Sequence, residues 1–134
     1  MSTPSSIGIK NENGTVTSIY CHFDGYLSNN GQILLDHYNT EEKVKQLIAL
    51  GGLCYLGERL SPNENEEHSF YGQRAKGVTL AYHRDRGEMF CQGKHGTERT
   101  FLKTDTIHYL WKDGKWFYGY TPKELTQELI DLHK

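Results

Sequence analysis

The sequence predicts an α+β fold with a mainly antiparallel sheet built from hairpins. Two central helices and a C-terminal helix are expected on one face of that sheet. Two hairpin-forming turns, Asn13-Gly14 and Asp113-Gly114, each separate runs rich in β-branched and aromatic residues. Apolar residues at helical spacing occur between the hairpins and again near the C-terminus. A chain of 134 residues has the usual length of one domain, so we expect a single domain over residues 1–134.

The first hairpin is expected to join a short strand containing Ile7 and Ile9 to a longer strand over residues 15–24. Alternation divides the second strand into two faces. The face expected in the core carries Ile19, Cys21 and Phe23. The opposite face, expected to be the working or solvent face, carries Tyr20, His22 and Asp24.

Two helices are expected between the hairpins. The first is capped by Asn29 or Asn30 and runs to about Tyr38. Thr40 caps the second, and acidic residues in its first turn favour the helix dipole. The apolar stripe of this second helix consists of Val44, Leu47 and Ile48. Residues 51–52, both glycine, end it.

Residues 60–77 are rich in Pro, Gly, Asn and acidic side chains, which predicts a long polar loop. A third strand is expected over residues 78–83, followed by a charged turn over residues 84–88. Residues 89–100 are rich in glycine, and a short strand over residues 89–92 is one interpretation of them.

The second hairpin is expected over residues 106–112 and 115–120, because Asp-Gly between aromatic-rich strands favours a type I′ turn. Thr121 and Glu124 then have the spacing of a capping box, with Pro122 at the first helical position. The buried stripe expected for this last helix consists of Leu125, Leu129 and Leu132.

Composition excludes several classes of protein. With 15 basic and 17 acidic side chains the net charge is −2, which argues against strong nucleic-acid binding and against a polyacidic DNA mimic. No apolar run approaches the roughly 18 residues of a membrane helix, and residues 1–10 do not resemble a signal peptide. The cysteines never occur as CxxC, which favours a reducing cytoplasm. We therefore expect no membrane association. We also expect no metal and no other cofactor, because the spacing of the seven His and three Cys residues fits no zinc template.

The first candidate site comprises His22, Asp24 and Tyr26. On a strand, residues two apart share a face and lie about 7 Å apart. Such a pair can orient an imidazole for acid/base work, bind a metal or hydrogen-bond a polar ligand. The alternative is that both residues only fix the strand end and the turn at Gly25.

The second candidate site comprises Tyr82, Arg84 and Arg86. Arginine guanidinium groups suit phosphates and carboxylates, and Asp85 could hold one of them in place. The alternative is a solvated salt-bridge network that contributes little to stability.

The third candidate is the second hairpin, which carries more rings than one sheet face needs. About half of them are expected in the core, and the others could stack on a base or contact a partner. We take Trp111 and Trp116 as candidate ligand-binding residues. The rings are Tyr109, Trp111, Trp116, Phe117, Tyr118 and Tyr120.

Several runs resemble a group of small phage-encoded proteins. The group has an N-terminal hairpin followed by I-Y-C-H-[WF]-D-G-Y, which residues 19–26 match, and an A-Y-x-R-D-R-G-E run, which residues 81–88 match. Further matches are Leu34-Leu35 with Tyr38, and the run from Lys43 to Gly51. Residues 3–6 depart from the Gly-Thr-Arg-Ser start of that group, which puts any role of that arginine in doubt here. The resemblance implies a phage accessory protein in the host cytoplasm.

The named catalytic motifs are absent from the sequence, so binding is favoured over catalysis. The leading hypothesis is a homo-oligomeric protein that counters host defence by sequestering a nucleotide-derived signal of the cyclic nucleotide or ADP-ribose type. The second hypothesis is a protein inhibitor of a host enzyme, with the aromatic hairpin as its anchor. The third is a nucleotide-processing enzyme that uses His22 or His83 as acid or base.

Overall fold

The computed structural model describes residues 3–88, 94–104 and 106–132. The first half of the chain contains strands β1 (Ser5–Lys10) and β2 (Thr15–Cys21), a π-helical turn (Leu27–Gly31), helices α1 (Gln32–His37) and α2 (Glu41–Ile48), and strand β3 (Leu53–Tyr55). The second half contains β4 (Leu80–Ala81), α3 (Tyr82–Arg86), β5 (Lys94–Thr97), α4 (Glu98–Phe101), β6 (Ile107–Lys112), β7 (Lys115–Tyr118), β8 (Lys123–Glu124) and α5 (Gln127–Leu132).

Within the described ranges the strands form one sheet in the order β4-β3-β2-β1-β6-β7-β8. Strand β5 pairs with β2 along the edge opposite β1, before the point where β3 joins that edge. Most neighbours are antiparallel, whereas β1 pairs with β6 and β2 pairs with β3 in parallel. The predicted α+β class with a mainly antiparallel sheet is confirmed. Ser5 pairs with both Cys21 and Ile107, so β1 and β6 begin at the end of the sheet where β2 finishes.

Both predicted hairpins are present. Asp113 and Gly114 have φ angles of 52° and 74°, the left-handed pair that a type I′ turn requires. In the first turn Gly14 has a φ of 85°, and the Asn13 Oδ1 accepts a hydrogen bond from the Thr15 N–H. The turn residues therefore set the register of both hairpins.

One hydrophobic core joins the sheet to α1, α2 and α5. On α2 the predicted residues Val44, Leu47 and Ile48 are buried, and the Thr40 Oγ1 accepts from the Lys43 N–H as the expected cap. The opposite face of the sheet carries a smaller cluster in which Phe101 of α4 packs with Val16 and Leu110. The two faces thus follow the alternation of the strands.

The second strand is shorter than predicted. It ends at Cys21, and Asp24 has a φ of 58°, so the chain has left the extended conformation there. Ile19 and Cys21 lie in the core as expected, but Phe23 is exposed because it follows the end of the strand. The placement of Phe23 in the core was wrong.

The predicted strand over residues 78–83 contains only Leu80–Ala81 as β4, and Tyr82 and His83 belong to α3. The local reason is Asp85, whose Oδ2 accepts a hydrogen bond from the Ala81 N–H at 2.8 Å and so favours a helical turn. The charged turn over residues 84–88 is therefore the end of a helix, closed by Gly87 with a φ of 77°.

The predicted capping box was also wrong. Lys123 and Glu124 pair with β7 as β8, and the last helix begins three residues later, with the Thr126 Oγ1 accepting from the Leu129 N–H. Leu125 is buried as expected, whereas Leu132 is exposed and Ile130 takes its place in the core. Cross-strand pairing with β7 outweighs the local helix signal.

Residues 60–77 contain no helix or strand. The loop is nonetheless tied to the domain: Arg59 donates two hydrogen bonds to the carboxylate of Glu66, at 2.8 and 3.0 Å. The strand considered for residues 89–92 lies outside the described residues.

Candidate functional site

The long loop docks on α3 through a buried histidine. The side chain of His68 is fully buried; its Nδ1 accepts a hydrogen bond from the Ala75 N–H, at 2.9 Å. Its Nε2 therefore carries the proton and donates to the Thr79 carbonyl oxygen at 3.0 Å. Next along the chain, the Phe70 N–H donates to the Asp85 carbonyl at 3.0 Å. These bonds hold residues 68–75 against the helix.

This docking assembles what we call the arginine–aromatic cluster, made of Phe70, Tyr71, Arg74, Tyr82 and Arg86. The guanidinium carbons of Arg86 and Arg74 lie 4.8 and 5.2 Å from the centroid of the Phe70 ring. The Arg86 carbon is also 5.6 Å from the Tyr71 ring, and Phe70 packs against Tyr82 with centroids 5.8 Å apart. Two cations and three rings thus share one surface.

The cluster carries positive charge that its surroundings only partly neutralise. The ion pairs among the described residues include none with Arg74, whose Nε and Nη2 donate to the Phe70 carbonyl. The Nε of Arg86 is 3.7 Å from a Glu88 carboxylate oxygen, and both side chains are well exposed, so this pair is weak. An incoming anion can therefore take the place of Glu88.

Tyr82 connects the cluster to the end of β2. Burial raises the pKa of Tyr82 to about 12, and the neighbouring Cys54 and Tyr20 act in the same direction. A side chain at Gly52 would lie 3.7 Å from the Tyr82 ring and 4.0 Å from the Tyr20 carbonyl. The segments over residues 20–26 and 82–88, both predicted to carry site residues, therefore lie on either side of β3 and approach each other across Gly52.

Exposed aromatic side chains lie at the end of β2 and just after it. The Tyr20 hydroxyl hydrogen-bonds the His22 Nδ1 at 2.8 Å, and the His22 and Phe23 rings pack edge-to-face with centroids 4.5 Å apart. Tyr26 is also exposed. The expectation that His22 and Asp24 share a strand face was wrong, because the strand ends before them and Asp24 turns away in the left-handed conformation.

Arg84 has a different role from the one predicted. Its guanidinium donates to the carbonyl oxygens of Leu60 and Thr79, each at 2.7 Å, and pairs with Asp85 through two hydrogen bonds. These bonds use the edges with which a guanidinium would grip a phosphate. Arg84 therefore joins the loop to α3 and belongs to the support of the cluster, whereas Arg86 belongs to its surface.

The tryptophans of the second hairpin are core residues. Trp111 and Trp116 are 5% and 2% exposed and pack edge-to-face with centroids 5.5 Å apart. The Trp116 Nε1 donates to the Tyr38 carbonyl at 2.7 Å. Because both rings are buried, they are not available to stack on a ligand, and their selection as ligand-binding residues was wrong. Tyr109 is buried as well, whereas Tyr120 is exposed.

Two other candidate chemistries are not supported by the geometry of the described residues. Burial raises the pKa of the Cys21 thiol to about 12, so it is a poor nucleophile. His83 is exposed on α3, and its Nδ1 hydrogen-bonds the Glu88 carbonyl at 2.7 Å. Within the described ranges, the His, Cys, Asp and Glu residues form no cluster that could hold a metal ion.

The sequence-based prediction missed Phe70, Tyr71 and Arg74. They lie in the polar loop and come close to α3 through tertiary hydrogen bonds of Phe70, His68 and Arg84. The available signal was the Phe-Tyr pair followed by Arg74 within an otherwise polar stretch.

Comparison with protein-family models, with curated proteins and with solved structures gives no match. Among the described helices, none has both the length and the apolar character needed to cross a bilayer.

Proposed function

We propose that this protein binds a nucleotide-derived anion on the arginine–aromatic cluster and acts by sequestering it. The observation that carries the proposal is the placement of the Arg74 and Arg86 guanidinium groups over a single ring, that of Phe70. Guanidinium groups bind phosphates through paired hydrogen bonds, and exposed rings stack on bases. A nucleotide presents both groups, which neither a simple anion nor an apolar ligand does.

The proposed mode of binding assigns a role to each part of the surface. Arg86 exchanges its weak contact with Glu88 for a phosphate. Arg74 supplies the second cation through Nη1, because its Nε and Nη2 donate to the Phe70 carbonyl. Tyr71 is 78% exposed and is the ring best placed to stack on a base. Tyr82, whose ring packs against that of Phe70, forms the floor of the surface.

In its full form, the proposal is that a phage accessory protein sequesters a cyclic nucleotide or ADP-ribose type signal in the host cytoplasm and acts as a homo-oligomer. The phage origin rests on the resemblance of residues 19–26 and 81–88, and the chemistry of the ligand rests on the cluster. Sedimentation of the purified protein measures the oligomeric state separately.

Calorimetric titration against cyclic dinucleotides and ADP-ribose isomers tests the proposal. We expect binding of at least one of them with micromolar or tighter affinity, and recovery of the ligand chemically unchanged after denaturation. The absence of binding to every member of the panel at high protein concentration would refute it. Recovery of a chemically altered ligand would show turnover and would favour the third hypothesis, a nucleotide-processing enzyme.

A protein partner is the second candidate, because Tyr20, Phe23 and Tyr26 are large, exposed aromatic side chains at one strand end. Aromatic anchors of this kind dominate many protein interfaces. A host protein retained in stoichiometric amount by the wild-type chain, and lost from the Phe23→Ser variant, would favour this candidate. A nucleotide released on heating would favour the first.

A further inference from the structure

A cavity separate from the arginine–aromatic cluster lies where β1 and β6 begin. Its volume is about 380 Å³, near the lower end of the roughly 300–1,000 Å³ typical of ligand pockets. Its walls are mainly apolar and aromatic, and its described lining contains no charged side chain. The lining residues are Thr3, Pro4, Thr106, Ile107, His108, Tyr118, Gly119 and Tyr120.

His108 is the unusual member of this lining. It is only 1% exposed, and among the described residues its Nδ1 is the buried side-chain nitrogen or oxygen without a hydrogen-bond partner. A buried polar atom without a hydrogen-bond partner lowers the stability of the folded state by about 1–3 kcal/mol. Native structures contain few such atoms, and a binding role is one reason for keeping one.

The neighbouring threonine fixes which nitrogen of His108 carries the proton. The Thr104 hydroxyl donates to the Phe101 carbonyl at 3.0 Å, so its oxygen accepts from the Nε2–H of His108 at 2.7 Å. Nδ1 is therefore the unprotonated nitrogen and presents a lone pair. It can accept a hydrogen bond from a ligand but cannot donate one.

The Tyr120 ring covers the His108 ring on one side. The two rings pack edge-to-face with centroids 4.8 Å apart, yet Tyr120 is 62% exposed. Because most of the Tyr120 side chain is already in solvent, little buried contact is lost when it rotates away. A planar ligand in the cavity would then reach the His108 ring.

We propose that this cavity is a second binding site, which takes a neutral, planar heterocycle and accepts a hydrogen bond from its N–H at His108 Nδ1. The ligand is neutral because the described lining offers no counter-charge, and planar because the walls are formed by rings and by Pro4. The N–H is required because Nδ1 can only accept.

Indole and benzofuran are a matched pair of probes, since they have nearly the same shape and only indole carries an N–H. We expect indole to bind the wild-type chain about tenfold more tightly, which corresponds to roughly 1.4 kcal/mol for one hydrogen bond. The His108→Phe variant should bind both probes equally. Arg86→Gln, outside this cavity, should leave the binding of indole unchanged.

Nitrogen-15 NMR of the wild-type imidazoles keeps the test decisive if His108→Phe does not fold. Without a probe, His108 should show a protonated Nε2 and an unprotonated Nδ1. Saturating indole should move the Nδ1 resonance in the direction of an accepted hydrogen bond, and benzofuran should not. Equal affinities for the two probes, or no change at Nδ1 with millimolar indole, would overturn the proposal. Neither result depends on nucleotide binding at the cluster.

Discussion

The guanidinium carbon of Arg86 lies 4.8 Å from the centroid of the Phe70 ring. Sixteen positions separate the two residues in the chain, and this contact joins the end of α3 to the long polar loop. It exists because the backbone of Phe70 is bonded to Asp85 and because His68 fixes the loop below it. The candidate site is therefore a product of loop docking.

Arg84 is predicted to stabilise this docking. The Arg84→Ala variant should lose about 2 kcal/mol of unfolding free energy, because the nearly buried carboxylate of Asp85 loses its charged partner and the Leu60 carbonyl loses a donor. Urea denaturation measures the change. Arg99→Ala, which removes an exposed arginine of α4, is the matched control and should change stability by less than about 0.5 kcal/mol. An equal effect of both substitutions would contradict the role given to Arg84.

His68 is predicted to matter more for the docking of the loop than for the packing of the core. His68→Phe keeps a ring of similar size but leaves the Ala75 N–H without its acceptor. We expect trypsin to cut faster after Arg74 and Lys76, and nucleotide affinity to fall about tenfold, because Phe70 and Arg74 lose their positions. His95→Phe, at an exposed histidine, is the control. Unchanged cleavage with unchanged affinity would show that the loop docks without His68.

Trp116 is predicted to contribute to the stability of the fold and not to ligand binding. Trp116→Phe leaves the Tyr38 carbonyl without its donor and removes part of a buried ring, at a cost of about 2 kcal/mol in unfolding free energy. Its affinity for the nucleotide should equal that of the wild type. A variant that kept its stability and lost binding would place Trp116 in the site after all.

The hairpins, the two central helices and the mainly antiparallel sheet follow from local signals, and the sequence predicts them. The predicted cap of the first helix was wrong, because Asn29 and Asn30 lie inside the π-helical turn that precedes α1. Asp113-Gly114 needs only its own turn geometry, and Thr40 caps the helix that begins at the next residue. Glu124 shows the limit of such reasoning: its local pattern favours a helix, but strand pairing with Phe117 outweighs that preference. Tyr82 and Arg86 were identified because both lie in one short run, whereas Phe70 reaches them only through tertiary bonds.

The stability of the protein is predicted to depend on pH through His108. Burial lowers the pKa of His108 below its usual 6.5, so the folded chain keeps it neutral where the unfolded chain protonates it. The unfolded state then binds more protons, and the contribution of His108 to stability is complete above about pH 6.5 and declines as the pH falls below it. We expect urea denaturation between pH 5.5 and 7.5 to show that the unfolding free energy rises less steeply with pH for His108→Gln than for the wild type. Equal slopes would contradict the lowered pKa.

Calorimetric titration of the tightest-binding nucleotide of the panel, into the wild type and into variants of the two cluster arginines, tests the central claim most directly. Arg86→Gln and Arg74→Gln should each weaken binding about tenfold, or roughly 1.4 kcal/mol, since each removes one guanidinium from a phosphate. Arg99→Gln removes the same charge outside the cluster and should leave the affinity within about twofold of the wild type. Equal losses for all three variants would show that only net charge matters, and unchanged affinity in the Arg86 and Arg74 variants would place the ligand elsewhere.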